Sequence, residues 1–299
     1  MLRSARCVVT LLSVVLALAL APRRAAACAV CGAADKTLAA RGEELPFAGR
    51  VRATLDGRAA AFAARHAPLR VFELRLVPGA AIALDEDVLF SVDLPLLRRS
   101  LMTGGEGAAP PIAADRAALG DAEARASYVA YRTRSRRLSF HGGAKAPTAP
   151  VERDAAGRLV ATDLQPGCGS IVPAVGATYA VTGPLLTFWT SASFLMPVSV
   201  RGGPHPGDSL RASATAQLQP RRVFAARASV HGRLDAAGDV DDRVDPRSGG
   251  ASVFVAPELV VSPIDDLVVS VGAAFPLVQE TRGHRVSAPI ALVGLGLDL

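Results

Sequence analysis

Asparagine is absent from this 299-residue chain, and aromatic residues make up only 5% of it: ten phenylalanines, three tyrosines and one tryptophan. The bases are scattered, and with so few rings among them no interleaved basic and aromatic surface of the kind that binds nucleic acid is expected. Cysteine is scarce too, with four in all. Cys28-Ala-Val-Cys31 has no second Cys-x-x-Cys and no histidine pair at ligand spacing to complete a four-ligand zinc site, so it is a weak metal candidate at best. His66, His141, His205, His231 and His284 stand apart from one another. Ser139-Phe-His141 puts a hydroxyl and an imidazole on one strand face. Hydrolysis would also need a group to orient the imidazole, and the missing asparagine removes one common choice. The chain is therefore read as a non-enzyme without a cofactor. No hydrophobic run after Ala27 reaches the roughly 20 residues that a membrane helix needs.

What the N-terminus does have is the pattern of a secretory signal. Arg3 and Arg6 precede an apolar run from Val8 to Ala21, and Ala25-Ala26-Ala27 offers a small-residue cleavage site. The formal charge is +6, from 33 bases and 27 acids. Arg3, Arg6, Arg23 and Arg24 leave with residues 1–27, so 29 bases then face 27 acids and the exported chain is close to neutral. Cys28 and Cys31 open that chain. In an oxidising compartment they suit a local disulfide or free thiols, a redox pair, half a metal site, or lipidation at Cys28. Arg24-Ala-Ala-Ala27 lacks the leucine usually found upstream of a lipidated cysteine. Cys7 is lost with the signal. Cys168 is left odd, about a membrane thickness from either of the others.

Half of the residues are hydrophobic and the mean hydropathy is +0.30. Without membrane helices, such a composition fits either a large soluble core or apolar residues that alternate along strands and face lipid. Alternation at period two decides for the second. Arg211, Ser213, Thr215 and Gln217 stand opposite Leu210, Ala212, Ala214, Ala216 and Leu218. Arg227, Ser229 and His231 stand opposite Ala226, Ala228 and Val230. About twelve such strands are expected, over 46–58, 69–84, 87–98, 120–132, 136–147, 169–182, 184–197, 208–219, 221–232, 250–262, 265–276 and 286–299. Short turns fall near Asp85-Glu86, Thr133-Arg134-Ser135, Gly183, Pro220 and Pro263-Ile264. They alternate with long connections at 59–68, 99–119, 148–168, 198–207, 233–249 and 277–285. An outer-membrane barrel has short periplasmic turns, longer external loops and an even strand count. The expected class is all-β: a transmembrane antiparallel up-and-down β-barrel of about 12 strands with both termini periplasmic.

The domain plan follows: residues 1–27 a signal peptide, 28–45 a periplasmic lead-in carrying the Cys-x-x-Cys, and 46–299 the barrel. Outer-membrane lipid and, during insertion, the barrel-assembly machinery are its expected partners, and the expected state is a monomer. If the apolar face meets lipid, Arg50, Arg52, Asp56, Glu73, Arg75, Asp93, Glu123, Arg125, Arg137, His141, Lys145, Arg211, Arg227, Glu258 and Asp298 point into the lumen. Charges of both signs there either line a wet channel or pair into a network that closes it. Trp189, Tyr179, Phe188 and Phe194 are candidates for an interfacial aromatic girdle. The acidic run after residue 233, with Asp235, Asp239, Asp241, Asp242 and Asp245, reads as a solvated loop; its spacing is not that of an EF-hand.

Several motifs give a family resemblance. They are Pro46-Phe-Ala-Gly-Arg50 opening the first strand, Leu94-Pro-Leu-Leu-Arg-Arg99 closing the third, Gly120-Asp-Ala-Glu123 opening the fourth, Lys145-Ala-Pro-Thr148 ending the fifth, and Leu164-Gln-Pro-Gly-Cys-Gly-Ser170 before the sixth. Their order over residues 46–299 resembles outer-membrane transporters of the meta-pathway phenol-degradation family. The resemblance implies a barrel that moves small, hydrophobic or aromatic molecules, and brings no catalytic residue. The chain ends in Leu299, where such barrels usually carry an aromatic residue. The expected function is a passive channel for small solutes in the cell outer membrane. The alternatives are a closed barrel displaying its external loops and a soluble secreted all-β binding protein.

Overall fold

A strand with one apolar and one polar face must pair along both edges, and in lipid only a closed sheet satisfies every backbone N–H and C=O. The computed structural model describes residues 51–299 except 65–68, 104–113, 154–156, 158–164, 201–204, 222, 241–242, 245–247, 283 and 287. It resolves the alternation into twelve antiparallel strands. β1 is Val51–Ala64, β2 is Leu69–Ala83, and β3 is Val88–Asp93 continuing as Leu96–Thr103. β4 is Ala114–Leu119 continuing as Ala122–Arg132, β5 is Arg136–Ala146, β6 is Ser170–Thr182 and β7 is Leu186–Leu195. β8 is Ser209–Arg221, β9 is Phe224–Asp235, β10 is Gly250–Ile264 and β11 is Leu267–Thr281. β12 is His284–Val286 continuing as Ile290–Asp298. Each strand pairs with the next, and β12 pairs back onto β1 from Arg52↔Asp298 to Ala59↔Ala291, which closes the barrel. Val51 and Leu299 exchange backbone hydrogen bonds at the end of that seam, so the first and last described residues meet at the short-turn end.

The faces follow the pleat. On β9, Ala225, Arg227, Ser229, His231 and Asp235 are buried while Ala228 and Val230 are exposed. The same holds around the sheet. Leu55, Phe72, Phe90, Phe140, Val175, Leu210, Val230, Leu259, Val271 and Val293 form an exposed apolar exterior, and the buried polar residues face in. Polar side chains inside and apolar ones outside is the inverse of a soluble barrel and the arrangement that lipid requires. Phe188 and Trp189 are neighbours, so the pleat must send them to opposite faces. Phe194, Tyr179 and Phe188 take the outer face, whereas Trp189 is buried inside, which removes it from the expected girdle.

Strand ends differ from the expected ones mainly at the long-loop end. β1 continues to Ala64 and β11 to Thr281, so most of the connections expected at 59–68 and 277–285 are paired strand. The alanines of 59–64 have no polar pattern to mark them, yet the ladder from Ala59 to Ala63 against Leu74 to Arg70 is unbroken. The expected end of the third strand at residue 98 lies inside paired strand, past a kink at Leu94-Pro95, and the expected start of the fourth at residue 120 is a kink within a longer strand. Pro95 has no N–H, and the ladder is carried past it by Leu94 donating to the Pro78 carbonyl (3.0 Å) and Gly120 to the Pro95 carbonyl (2.7 Å). Beyond the kink, Leu96–Thr103 pairs with β2 and with Ala114–Leu119. Among the described residues the far edge of Ala114–Leu119 has no strand partner, because β5 stops at Ala146. Asp235 ends β9 and points inward, and so does not belong to the solvated acidic loop.

Candidate functional site

The interior is built in spiral rows that follow the strand register. Nearest the short-turn end, Arg52 on β1 and Asp298 on β12 form a two-point ion pair. Asp56 shares their face, in register with Val77 and Gly294. Asp93 on β3 is buried opposite Gly79, where a side chain would collide with its carboxylate and with the Thr54 hydroxyl. On β4 and β5, the Glu123 carboxylate takes Arg125 Nη2 at 2.7 Å and Lys145 Nζ at 3.5 Å. Arg137 lies on the same face, in register with Ala180. The His141 ring Nε2 lies 3.0 Å from Ser193 Oγ on β7, across β6, where Gly176 leaves room for the imidazole. Its hydroxyl partner is thus Ser193 on another strand.

The wall formed by β7 to β10 carries hydroxyls and one stacked guanidinium. Ser191 and Ser213 lie 2.7 Å apart, and Thr215 donates to Ser229 at 2.9 Å. Arg227 donates through Nε and Nη2 to Gln217 Oε1, at 3.0 and 2.7 Å, with its guanidinium 5.2 Å from the Trp189 ring centre. That distance suits a cation–π contact. Glu258 pairs in register with Arg227 and accepts from Ser270 Oγ at 3.5 Å. Arg211 Nε donates to Ser209 Oγ at 3.3 Å, and Arg233 pairs with Asp235. A small pocket across β5 to β9 is lined by Lys145, Arg211, Arg233 and Asp235 and by the apolar Val172, Leu195 and Pro206.

The densest charge cluster sits on β1 to β3. Glu73, 1% exposed, accepts from three guanidiniums: Arg99 at 2.6 Å, Arg75 at 3.2 Å and Arg58 at 3.5 Å. Arg99 also donates to the Gln165 carbonyl at 2.9 Å. An apolar group borders the cluster. Ala60, Phe62 and Val71 join Ala256, Ala274, Val286, Ile290 and Leu292, with Phe254 packed on them, all on the interior face of β1, β2 and β10 to β12. Arg58 marks the boundary, in register with Arg75 on one side and Leu292 on the other.

The expected interior residues from Arg52 to Asp298 that the structure describes all share this inner face. Arg50, Cys28 and Cys31 lie outside the described residues. Sequence reasoning passed over Arg58, Arg99, Arg233 and Asp235. Arg58 has the parity of Arg52 and Asp56, which was signal enough; Arg99 and Arg233 lay just beyond strands ended too early. It also missed the inward apolar group, because alternation alone assigns apolar residues to lipid.

Four of the five motifs that gave the resemblance converge on the kink; Pro46-Phe-Ala-Gly-Arg50 lies outside the described residues. Asp121, buried, accepts the backbone N–H of Ala149 (3.2 Å) and of Cys168 (2.5 Å). Thr148 Oγ1 accepts from Ala122 N and donates to the Gly120 carbonyl. Gln165 pairs through both ends of its amide with the Glu152 backbone. Residues 94–99, 120–123, 145–148 and 165–170 thus form one hydrogen-bonded unit where β5 stops. Cys168 is buried within it.

No family model matches the sequence, and no curated protein matches it. Solved structures do match the fold. An outer membrane channel from Pseudomonas putida F1 superposes with a TM-score of 0.69 at 11% identity, covering 87% of this chain and 98% of that one. The transport unit of the autotransporter AIDA-I from Escherichia coli gives a TM-score of 0.50 at 6% identity, over 87% and 92%. The chain has the fold of a closed twelve-stranded outer-membrane β-barrel.

Proposed function

We propose that the protein is an outer-membrane conduit through which small hydrophobic or aromatic solutes pass without energy input. The observation that carries this reading is the inward apolar group of Phe62, Val71, Phe254, Ile290 and Leu292 at the long-loop end of an otherwise polar interior. A barrel built only for hydrophilic solutes gains nothing by turning phenylalanines away from lipid, whereas a solute that must shed water does. The fold shared with an outer membrane channel supports the reading. So does the way the resembling motifs cooperate at the kink, which favours membership of the meta-pathway phenol-degradation-like transporters. In this reading residues 1–27 are a cleaved export signal, the short turns and both termini are periplasmic, and the barrel-assembly machinery inserts the chain as a monomer. Entry of a monoaromatic such as benzyl alcohol into proteoliposomes tests it. Phe254→Asp and Phe62→Asp are expected to slow entry several-fold; equal rates with empty liposomes would sink the proposal.

A second reading has its own support. Glu73, Arg75 and Arg99 are buried, with both guanidiniums on the one carboxylate, as in a network that holds a barrel closed. Planar-bilayer recordings separate the two, since a closed barrel gives no unitary conductance and admits no benzyl alcohol.

A further inference from the structure

We infer that the junction of the Glu73 cluster with the apolar group is a binding site for small amphipathic monocarboxylates, a ring or short chain bearing one carboxylate. The inference rests on the conduit reading and names its solute class.

Three features carry it. Among the described residues three guanidiniums meet on the one Glu73 carboxylate, leaving an excess of positive charge in a buried place. A buried charge without a partner is costly, so an excess of this kind is a standing demand for an anion. The demand has an address. Arg58 touches Glu73 only through Nη2 at 3.5 Å, and its Nε and Nη1 are buried with no hydrogen-bond partner among the described residues. Arg58 is itself 8% exposed. Nε and Nη1 carry three N–H donors between them, on two separate edges that each share Nη2, and a planar carboxylate on either edge gains charge-assisted hydrogen bonds.

The other half of the site is apolar and adjacent by register. Arg58 pairs with Leu292, and one pleat further Ala60 lies between Glu73 and the Ile290 side of the barrel. Phe254 packs on that group from β10. A carboxylate on Arg58 would therefore leave its carbon body against Leu292, Ile290 and Phe254. A bare inorganic anion would use the first half only and a neutral arene the second half only.

The test uses the full chain in detergent micelles, titrated with benzoate, benzyl alcohol, acetate and phosphate. Binding is followed by calorimetry and by the emission of Trp189, the one tryptophan, which faces the same interior. Benzoate is expected to bind at least ten-fold more tightly than any of the other three. Arg58→Gln should remove at least ten-fold of the benzoate affinity while benzyl alcohol changes little, and Arg58→Lys, which keeps the charge, should recover part of it. Phe254→Ala should weaken benzoate and leave acetate and phosphate unchanged. Phosphate or acetate binding as well as benzoate would overturn the apolar half of the site. Benzyl alcohol binding as well as benzoate, or Arg58→Gln binding benzoate like wild type in a barrel of normal heat-dependent mobility, would overturn the anion half. Binding in micelles requires no passage, so a barrel that binds benzoate but admits no solute into liposomes fails the conduit reading alone.

Discussion

Arg52 on the first strand and Asp298 on the last meet across the seam that closes the barrel, Nε to Oδ1 at 2.6 Å and Nη2 to Oδ2 at 2.7 Å. Both side chains are largely covered, at 15% and 13% exposure. Two parallel charge-assisted bonds in that setting hold the termini in register, where a barrel has least to hold it. Asp298→Asn is expected to cost about 1–2 kcal/mol. The measurement is the temperature at which the folded band shifts on a detergent gel. The swapped pair, Arg52→Asp with Asp298→Arg, should regain most of the loss; no regain would mean the pair adds nothing to closure.

Glu73 poses the opposite problem, one acid among several bases. Glu73→Gln keeps the shape but leaves Arg58, Arg75 and Arg99 facing one another in a buried place. Removing one partner from a buried ion network typically costs about 3–5 kcal/mol. A second change, Arg58→Gln, lowers the uncompensated charge and should return part of that in urea titrations of the barrel folded in lipid vesicles. If the double variant is no more stable than Glu73→Gln alone, repulsion among the guanidiniums is not the cause.

Much of this molecule was legible in the sequence because its two strongest signals are local. Period-two alternation fixed the faces: Arg125, Lys145, Arg211 and Arg227 turn inward as their neighbours' polarity requires. Turn residues fixed the strand order. The errors arose where a local sign had a non-local outcome. Leu94-Pro95 and Gly120-Asp121 look like strand ends, and become kinks because carbonyls on neighbouring strands accept the N–H groups that would otherwise be orphaned. Ala59–Ala64 is silent in pattern and is held by its partner strand. The inward apolar group escaped notice since Phe62, Phe254 and Ile290 come from three strands and become one feature only once the barrel closes.

The assignment of faces has a direct test. Val230 lies near the middle of β9 on the outer face, 46% exposed, between the buried Ser229 and His231. Val230→Arg would put a guanidinium against the hydrocarbon at about mid-depth, where the cost is about 2–4 kcal/mol. Val223→Arg, in the turn before the same strand, lies at the rim, where about 0–1 kcal/mol is expected. Folding yields into vesicles for the two variants should differ accordingly. Equal yields would mean that β9 does not cross the bilayer with this face to the lipid.

Gly176 on β6 shows how closely the interior is fitted. A methyl group there would collide with the His141 imidazole and with the Ala192 backbone carbonyl. The imidazole could swing away at the loss of its contact with Ser193, but the carbonyl belongs to the ladder between β6 and β7 and has nowhere to go. Gly176→Ala is therefore expected to destabilise the barrel by about 1–3 kcal/mol. At Gly142, on the outer face of β5, the nearest atom to an added methyl is 3.9 Å away, so Gly142→Ala should be within about 0.5 kcal/mol of wild type. Adding His141→Ala to Gly176→Ala removes the first collision and leaves the second. The double variant should recover only part of the lost thermal stability; full recovery would show that the backbone between β6 and β7 yields and that the imidazole alone sets the limit.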